Sequence, residues 1–308
     1  MAEITASLVK DLRGKTSAGM MDCKKALTET GGDLEAAVDW LRKNGLSVAA
    51  KKAGRIAAEG LVAITAGGTA GAVAEINAET DFVARNEQFQ KFCKTVVELA
   101  LANDGQLEDV LSSGYPGNGR TVAEELNHNI ATIGENMSLR RTAALTVKEG
   151  VVAGYVHNAA APDLGRIGVL VALSSSADVE ALLALGKNLA MHVAASNPQA
   201  IDEESLDPAL VARERQILVD QAKESGKPED IIEKMVDGRM RKFFQEAVLL
   251  HQAFVMDTDK TIKKVLAEAS EAMGAPVRLT GFECFHLGEG IEKTTADFAS
   301  EVKEAAGL

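Results

Sequence analysis

The chain has 308 residues, 46% apolar and 25% charged, and a net charge of −12, a profile that fits a globular protein of two or three domains. So acidic a chain lacks the overall basic field of a nucleic-acid binder, and no apolar run is long enough to span a membrane. Three scattered cysteines (Cys23, Cys93 and Cys284) form no CxxC pair, and the N-terminus holds no apolar signal core, so a reducing cytoplasm without disulfides or structural zinc is expected.

In chain order, residues 1–45 are predicted as three short helices. Thr5 caps the first, which carries Leu8, Val9 and Leu12. The second starts after Gly19. Asp33 caps the third, with Leu34, Val38 and Leu41 on one face, and Gly45 is expected to stop it. An Ala/Lys-rich linker, partly helical, ends near Arg55. Ten Lys/Arg against seven Asp/Glu make residues 1–56 locally basic, a weak signal for nucleic acid.

An internal duplication follows. "EGLVAI" (59–64) recurs as "EGVVAG" (149–154), second strands are expected at 71–78 and 167–174, and helices at 86–103 and 178–197. Gly67, Gly68 and Gly71 suit the first hairpin turn, and the second copy has a longer loop, "HNAAAPDLGR". Between the copies lie a loop, "SSGYPGNGR", and a helix from about Thr121. Residues 202–246 interrupt the second copy with two helices in an antiparallel hairpin. Leu210, Val211, Ile217 and Leu218 share a face of one; Ile232, Met235, Val236 and Phe243 share a face of the other, which Pro228 opens at its first position. Residues 276–286 alternate like a third strand, and a terminal helix begins at Thr294 or Thr295. The expected fold class is α+β. Its divisions are a helical N-terminal unit with linker (1–55), two related subdomains (56–146; 147–201 with 247–287), the inserted hairpin (202–246) and a C-terminal helical module (288–308).

Catalytic signatures are missing. The chain has no GxxxxGK[ST], GxSxG or HExxH, and "GEGIEK" (288–293) lacks the downstream unit of a dinucleotide fold. His128, His157, His192, His251 and His286 show no metal-ligand spacing, and His192 lies on an apolar helix as a core or subdomain-interface residue would. Cys23, near a helix start and beside lysines, reads either as an activated thiol or as a structural cysteine. No catalytic residue, cofactor or metal is assigned; an α+β enzyme using Cys23 or a His/Asp pair is the competing reading, and an adaptor role for the hairpin is compatible with a non-enzymatic one.

Two apolar features stand out in a chain with only 4% aromatics. Neighbouring helix positions diverge by about 100°, so Met20 and Met21 are poorly suited to face one small core together; both are buried by packing, or they form a docking tip. Phe82 sits where a helix begins, beside Thr80 or Asp81 as the expected cap. Ser174 and Ser175 are taken as its counterparts in the second copy, so the fold does not demand an aromatic there. The ring either staples onto its own helix or anchors in a partner.

The stretches "LRGKTSAGMMDCKKAL" (12–27), "AAKKAGRIAAEG" (49–60), "ETDFVARNEQF" (79–89), "IGENMSLRR" (133–141), "MHVAASNP" (191–198), "SGKPEDIIEKMVDGRMRKF" (225–243) and "GEGIEK" make the whole chain resemble the translation elongation factor Ts family. The resemblance implies a ubiquitin-associated-like N-terminal domain and a coiled-coil hairpin. It also implies guanine nucleotide exchange on elongation factor Tu, without covalent chemistry, cofactor, nucleic-acid contact or membrane contact. In such a factor Thr80, Asp81, Phe82 and Val83 wedge in near the magnesium site of Tu, GDP leaves, and GTP displaces the factor. Arg13, Met20, Met21 and Lys24 would touch the same G domain, His157, Met235 and Val236 another domain, and Phe298 the G domain again. A homodimer and a heterotetramer with Tu are both open.

Overall fold

The computed structural model describes residues 4–16, 18–224 and 228–292, without the side chains of 46–48. Helices α1 (Ala6–Thr16), α2 (Met20–Glu29) and α3 (Leu34–Lys52) enclose a small core of Leu12, Cys23, Ala26, Leu27 and Ala37. Thr5 Oγ1 accepts the Leu8 N–H at 3.3 Å, and the Asp33 carboxylate accepts the Glu35 and Ala36 N–H groups, both at 2.9 Å. Gly45 does not stop α3, which runs on to Lys52.

Strands β1 (Glu59–Gly67) and β2 (Ala70–Ala78) form the first hairpin, and Gly71 lies inside β2 rather than in its turn. Helices α4 (Glu87–Ala102), α5 (Leu107–Ser112) and α6 (Val122–Ile133) follow. Thr121 and Glu124 close a capping box at the start of α6. Helix α6 explains the length of α3: a Cβ on Gly45 would lie 3.7 Å from that of Ala131, Arg42 pairs with Glu124, and Lys52 donates to the Gly134 carbonyl. These contacts outweigh the roughly 1 kcal/mol helix cost of glycine.

A strand that the periodicity missed, β3 (Met137–Thr146), pairs with β2. After β4 (Gly150–His157), the long loop sends the short β5 (Leu164–Gly165) back to pair with β1, before β6 (Ile167–Ser174) returns alongside β4. Helix α7 (Val179–Ser196) completes the second copy's first half.

Helices α8 (Pro208–Lys223) and α9 (Glu229–Ala247) lie side by side in opposite directions, sharing Leu218, Ala222, Val236 and Met240. Ile217 falls outside that face and is exposed. Pro228 is the N-cap of α9, one residue before its first turn; residues 225–227 lie outside the described residues, as do Thr294, Thr295 and the expected terminal helix.

Then come β7 (Ala253–Phe254), β8 (Asp257–Thr261), α10 (Ile262–Met273) and β9 (Arg278–His286). Helix α10, also unforeseen, starts at a Thr261 cap and stops at Gly274.

The two larger sheets run β3-β2-β1-β5 and β4-β6-β9, and β7 pairs with β8. Their side chains alternate between layers, as strand geometry requires. Leu61, Ala63, Ala74 and Ile76 face α4, whereas Val62, Ile64 and Val73 face the second sheet. Val169, Val171 and Leu173 face α7 and α10, while Leu170 and Ala172 face the first sheet. The repeat extends to the backbone. Gly60 (φ +120°) and Gly150 (φ +124°) hold matching places, where a Cβ would come 2.2 Å from the Ile76 carbonyl oxygen and 2.0 Å from that of Leu173. Both outer strand pairs shift register, β2–β3 at Glu75/Ile76 and β6–β9 at Ala172/Leu173.

Two buried polar groups are fully engaged. Glu75, at 0% exposure, accepts from Arg141 Nε (2.6 Å), Arg140 Nη1 (3.1 Å), Asn77 Nδ2 (3.0 Å) and the Gly288 N–H (2.8 Å). Burial pushes its carboxyl up, but the Gly288, Asn77 and Arg141 bonds outweigh burial and hold it below the usual range. The same arginines reach on: Arg141 Nη2 donates to the His286 carbonyl (3.0 Å), Arg140 Nη2 to that of Glu289, and the Arg141 guanidinium lies 4.3 Å from the Phe285 ring centre. Buried His192 accepts the Val255 N–H at Nδ1 (3.3 Å), so its Nε2–H donates to Gln252 Oε1 (2.9 Å); burial lowers its pKa.

Glu75→Ala leaves Arg140 and Arg141 only their contacts at His286 and Glu289, and urea unfolding is expected to register a loss of about 2–3 kcal/mol; a loss under about 1 kcal/mol would remove Glu75 from this structural role. For His192 the folded pKa lies below the unfolded value, so the unfolded state gains the proton first. Its contribution is present above about pH 6.5 and lost as pH falls below that. The urea midpoint is therefore expected to drop between pH 7.5 and 5.5 by more in the parent than in His192→Gln.

Candidate functional site

The residues leaving β2 form a short, tightly held turn. Glu79 accepts the Asn136 N–H through its carboxylate (2.5 Å), and Arg55 approaches the same oxygen at 3.4 Å. Thr80 donates its N–H (2.9 Å) and its hydroxyl (2.7 Å) to the two carboxylate oxygens of Glu135. Beyond it a 3₁₀ turn, Val83–Arg85, is closed by Ala84 N–H to Asp81 O (3.2 Å) and Arg85 N–H to Phe82 O (3.1 Å). Val83 is buried with Phe89 and Phe92 in the α4 core, and Gln90 ties the Ala84 carbonyl.

Between those anchors, Asp81 is exposed and Phe82 is 75% exposed. The ring does not staple onto its helix. Neither Thr80 nor Asp81 caps α4; Asn86 does, accepting the Phe89 N–H at 3.1 Å. The expected counterparts also need correction. Ser174 pairs with Gly150 as Asn77 pairs with Gly60, so Ser174 matches Asn77, not Phe82. The connection spans 79–85 in the first copy and only 175–177 in the second, where Asp178 caps α7 directly. The aromatic turn is an extension that the second copy lacks.

At the other apolar feature, Met20 and Met21 are 61% and 75% exposed at the start of α2, and Arg13 on α1 and Lys24 on α2 are exposed as well. Cys23 beneath them is buried, and burial raises its thiol pKa, the reverse of an activated nucleophile. His157 is exposed, with Tyr155 Oη 3.1 Å from its Nδ1. Met235 is half-buried. Val236 is corrected: at 1% exposure it packs inside the α8–α9 pair and presents no surface. Phe298 lies outside the described residues.

The anchoring residues Arg55, Glu135 and Asn136 were not singled out from the sequence, because no periodicity links them to a turn far away in the chain. A cavity of about 610 Å³ lies between α3 and α6, lined by Trp40, Arg42, Arg120 and His128 among others; Arg42 and Arg120 are already paired with Glu124 and Glu125. Among the described residues no cluster of three or more His, Cys, Asp or Glu is placed to hold a metal ion, and no helix is long and apolar enough to cross a membrane. What this geometry offers is contact chemistry, namely an apolar ring and two thioethers in solvent on ordered backbone.

A family model described as elongation factor TS matches residues 79–289. Proteins named Elongation factor Ts are similar over essentially their whole length. That of Rhodospirillum centenum is 61% identical over 307 residues, covering 100% of both chains. That of Parvibaculum lavamentivorans is 57% identical over 306 residues and 99% of each chain, and that of Rhodospirillum rubrum 61% over 303 residues and 98% of each.

Because the Phe82 ring is largely in water, Phe82→Ala is expected to change unfolding free energy by less than about 0.5 kcal/mol. Val83→Ala is expected to cost about 2 kcal/mol. Equal losses in the two urea titrations would mean that the ring is packed.

Proposed function

This chain belongs to the elongation factor Ts family, and on that premise we propose that it is the guanine nucleotide exchange factor of elongation factor Tu. It serves translation elongation in the cytoplasm and performs no covalent chemistry of its own. The observation that carries the proposal is Phe82, an aromatic ring in solvent on a turn anchored from both sides.

Such a ring is unfavourable to leave exposed; burying it is worth about 2 kcal/mol. An exchange factor uses that energy selectively. It speeds nucleotide release only if its contacts are better in the strained, nucleotide-free partner than in the GDP-bound one. In the proposed mechanism Thr80, Asp81, Phe82 and Val83 form the wedge. Thr80 and Val83 fix its base, Asp81 and Phe82 enter the G domain beside its magnesium site, and GDP is released. Linkage makes the effect reciprocal, so incoming GTP weakens the complex and the factor leaves.

Arg13, Met20, Met21 and Lys24 are assigned to a second contact on the G domain, supported by the exposure of both methionines. His157 and Met235 are assigned to another domain of Tu, and Phe298 to a return contact. The division into a ubiquitin-associated-like unit (1–55), two subdomains (56–146; 147–201 with 247–287), a coiled-coil hairpin (202–246) and a C-terminal module (288–308) belongs to the same proposal.

Release of labelled GDP from Tu tests it. Catalytic amounts of the protein are expected to accelerate release, and Phe82→Ala to lower the stimulated rate at least about ten-fold, the scale of one interface anchor. Parent-like stimulation by Phe82→Ala overturns the wedge.

A further inference from the structure

We propose that Glu135 is the positioning residue of the exchange wedge, an inference that rests on the function proposed above. Strands β2 and β3 pair antiparallel down to Ala78 opposite Met137. The main-chain ladder ends there, yet its register continues. Glu79 meets Asn136 and Thr80 meets Glu135, now through side chain to main chain bonds of 2.5 Å and 2.9 Å. Glu135 makes the last rung double, because its second oxygen takes the Thr80 hydroxyl at 2.7 Å. A bidentate acceptor fixes both the position and the direction of its partner.

The effect falls on two residues. Thr80 is held by Glu135, Val83 is sunk in the α4 core, and only Asp81 and Phe82 lie between them, both exposed. A tip so held has little backbone freedom left to lose when a partner closes on it, which is the advantage of preorganisation. Glu135 itself follows Gly134, which ends α6 in the left-handed conformation (φ +91°) and turns the chain towards Thr80. Removing the carboxylate frees the tip without touching the ring.

The experiment uses the full chain with Tu carrying a fluorescent GDP analogue, measuring release across a range of factor concentrations. Glu135→Ala is expected to lower the maximal release rate about five- to ten-fold while moving the half-saturating concentration less than two-fold, since other contacts dock the factor. Glu135→Gln restores the rate, because its amide oxygen accepts the Thr80 N–H and its NH₂ donates to Thr80 Oγ1. In a Phe82→Ala background, Glu135→Ala lowers the rate by a smaller factor than in the parent, because only Asp81 is left for it to position. The positioning role is overturned by a maximal rate within two-fold of the parent, by a Gln variant no better than Ala, or by additive losses in the double variant. These outcomes leave the wedge standing if Phe82→Ala is impaired. An unimpaired Phe82→Ala removes the wedge and this inference together.

Discussion

A buried carboxylate holds the two halves of this molecule in register. Glu75 lies in the middle of β2 with no exposed surface, where an unpaired charge would be strongly destabilising. Consecutive strand residues ordinarily point to opposite faces, so Arg140 and Arg141 should not reach the same partner. The irregularity at Glu75/Ile76 resolves the conflict. Glu75 faces Arg141 and Ile76 faces Leu139, leaving Arg140 as the extra residue of a bulge, free to turn towards the same carboxylate. Both guanidiniums then extend to the end of β9 and to Glu289, and the Gly288 N–H returns to Glu75. Gly288 has φ +71°, and a Cβ there would come 2.3 Å from the Ala58 carbonyl oxygen, which gives the "GEGIEK" stretch a structural reason. The last strand of one copy is thus fastened to the middle of the other.

What the sequence revealed and what it hid follow from the range of the interactions. The duplicated strands and their helices were legible because alternation and amphipathic spacing are local. Strand β3 was hidden by the residues that matter most to it, since adjacent arginines break the alternating pattern. Gly45 was misread as a stop because the helix that supports α3 through that point is α6, far along the chain. The oddity of Phe82 was visible in the residue itself. Its counterpart was misplaced because strand endings, rather than motif spacing, define the equivalence. Glu135 offered no signal: one carboxylate after a helix looks like any other until Thr80 arrives beside it.

The two copies share their constraints closely, down to paired glycines and paired register shifts, yet they differ where the proposed work is done. In the second copy the chain passes from strand to helix by the shortest route, through Ser175 and an Asp178 cap. In the first it is lengthened and anchored at Thr80 and Val83, with an aromatic between. The proposed function rests on a local departure from a repeated frame. The frame tolerates it because Val83 restores to the core what the detour takes away, and the β2–β3 register supplies its outer support.

The unbroken course of α3 gives that frame a further property. The methionine tip packs on α3 through Cys23, Ala26 and Leu27, α3 lies on α6, and the turn after α6 clamps Thr80. Helix α3 continues through Gly45 without a break. One helix thus links the layer beneath Met20 and Met21 to the layer that holds the Phe82 turn. Were the proposed contacts at both places to hold, a partner surface would have to match their separation as well as their chemistry.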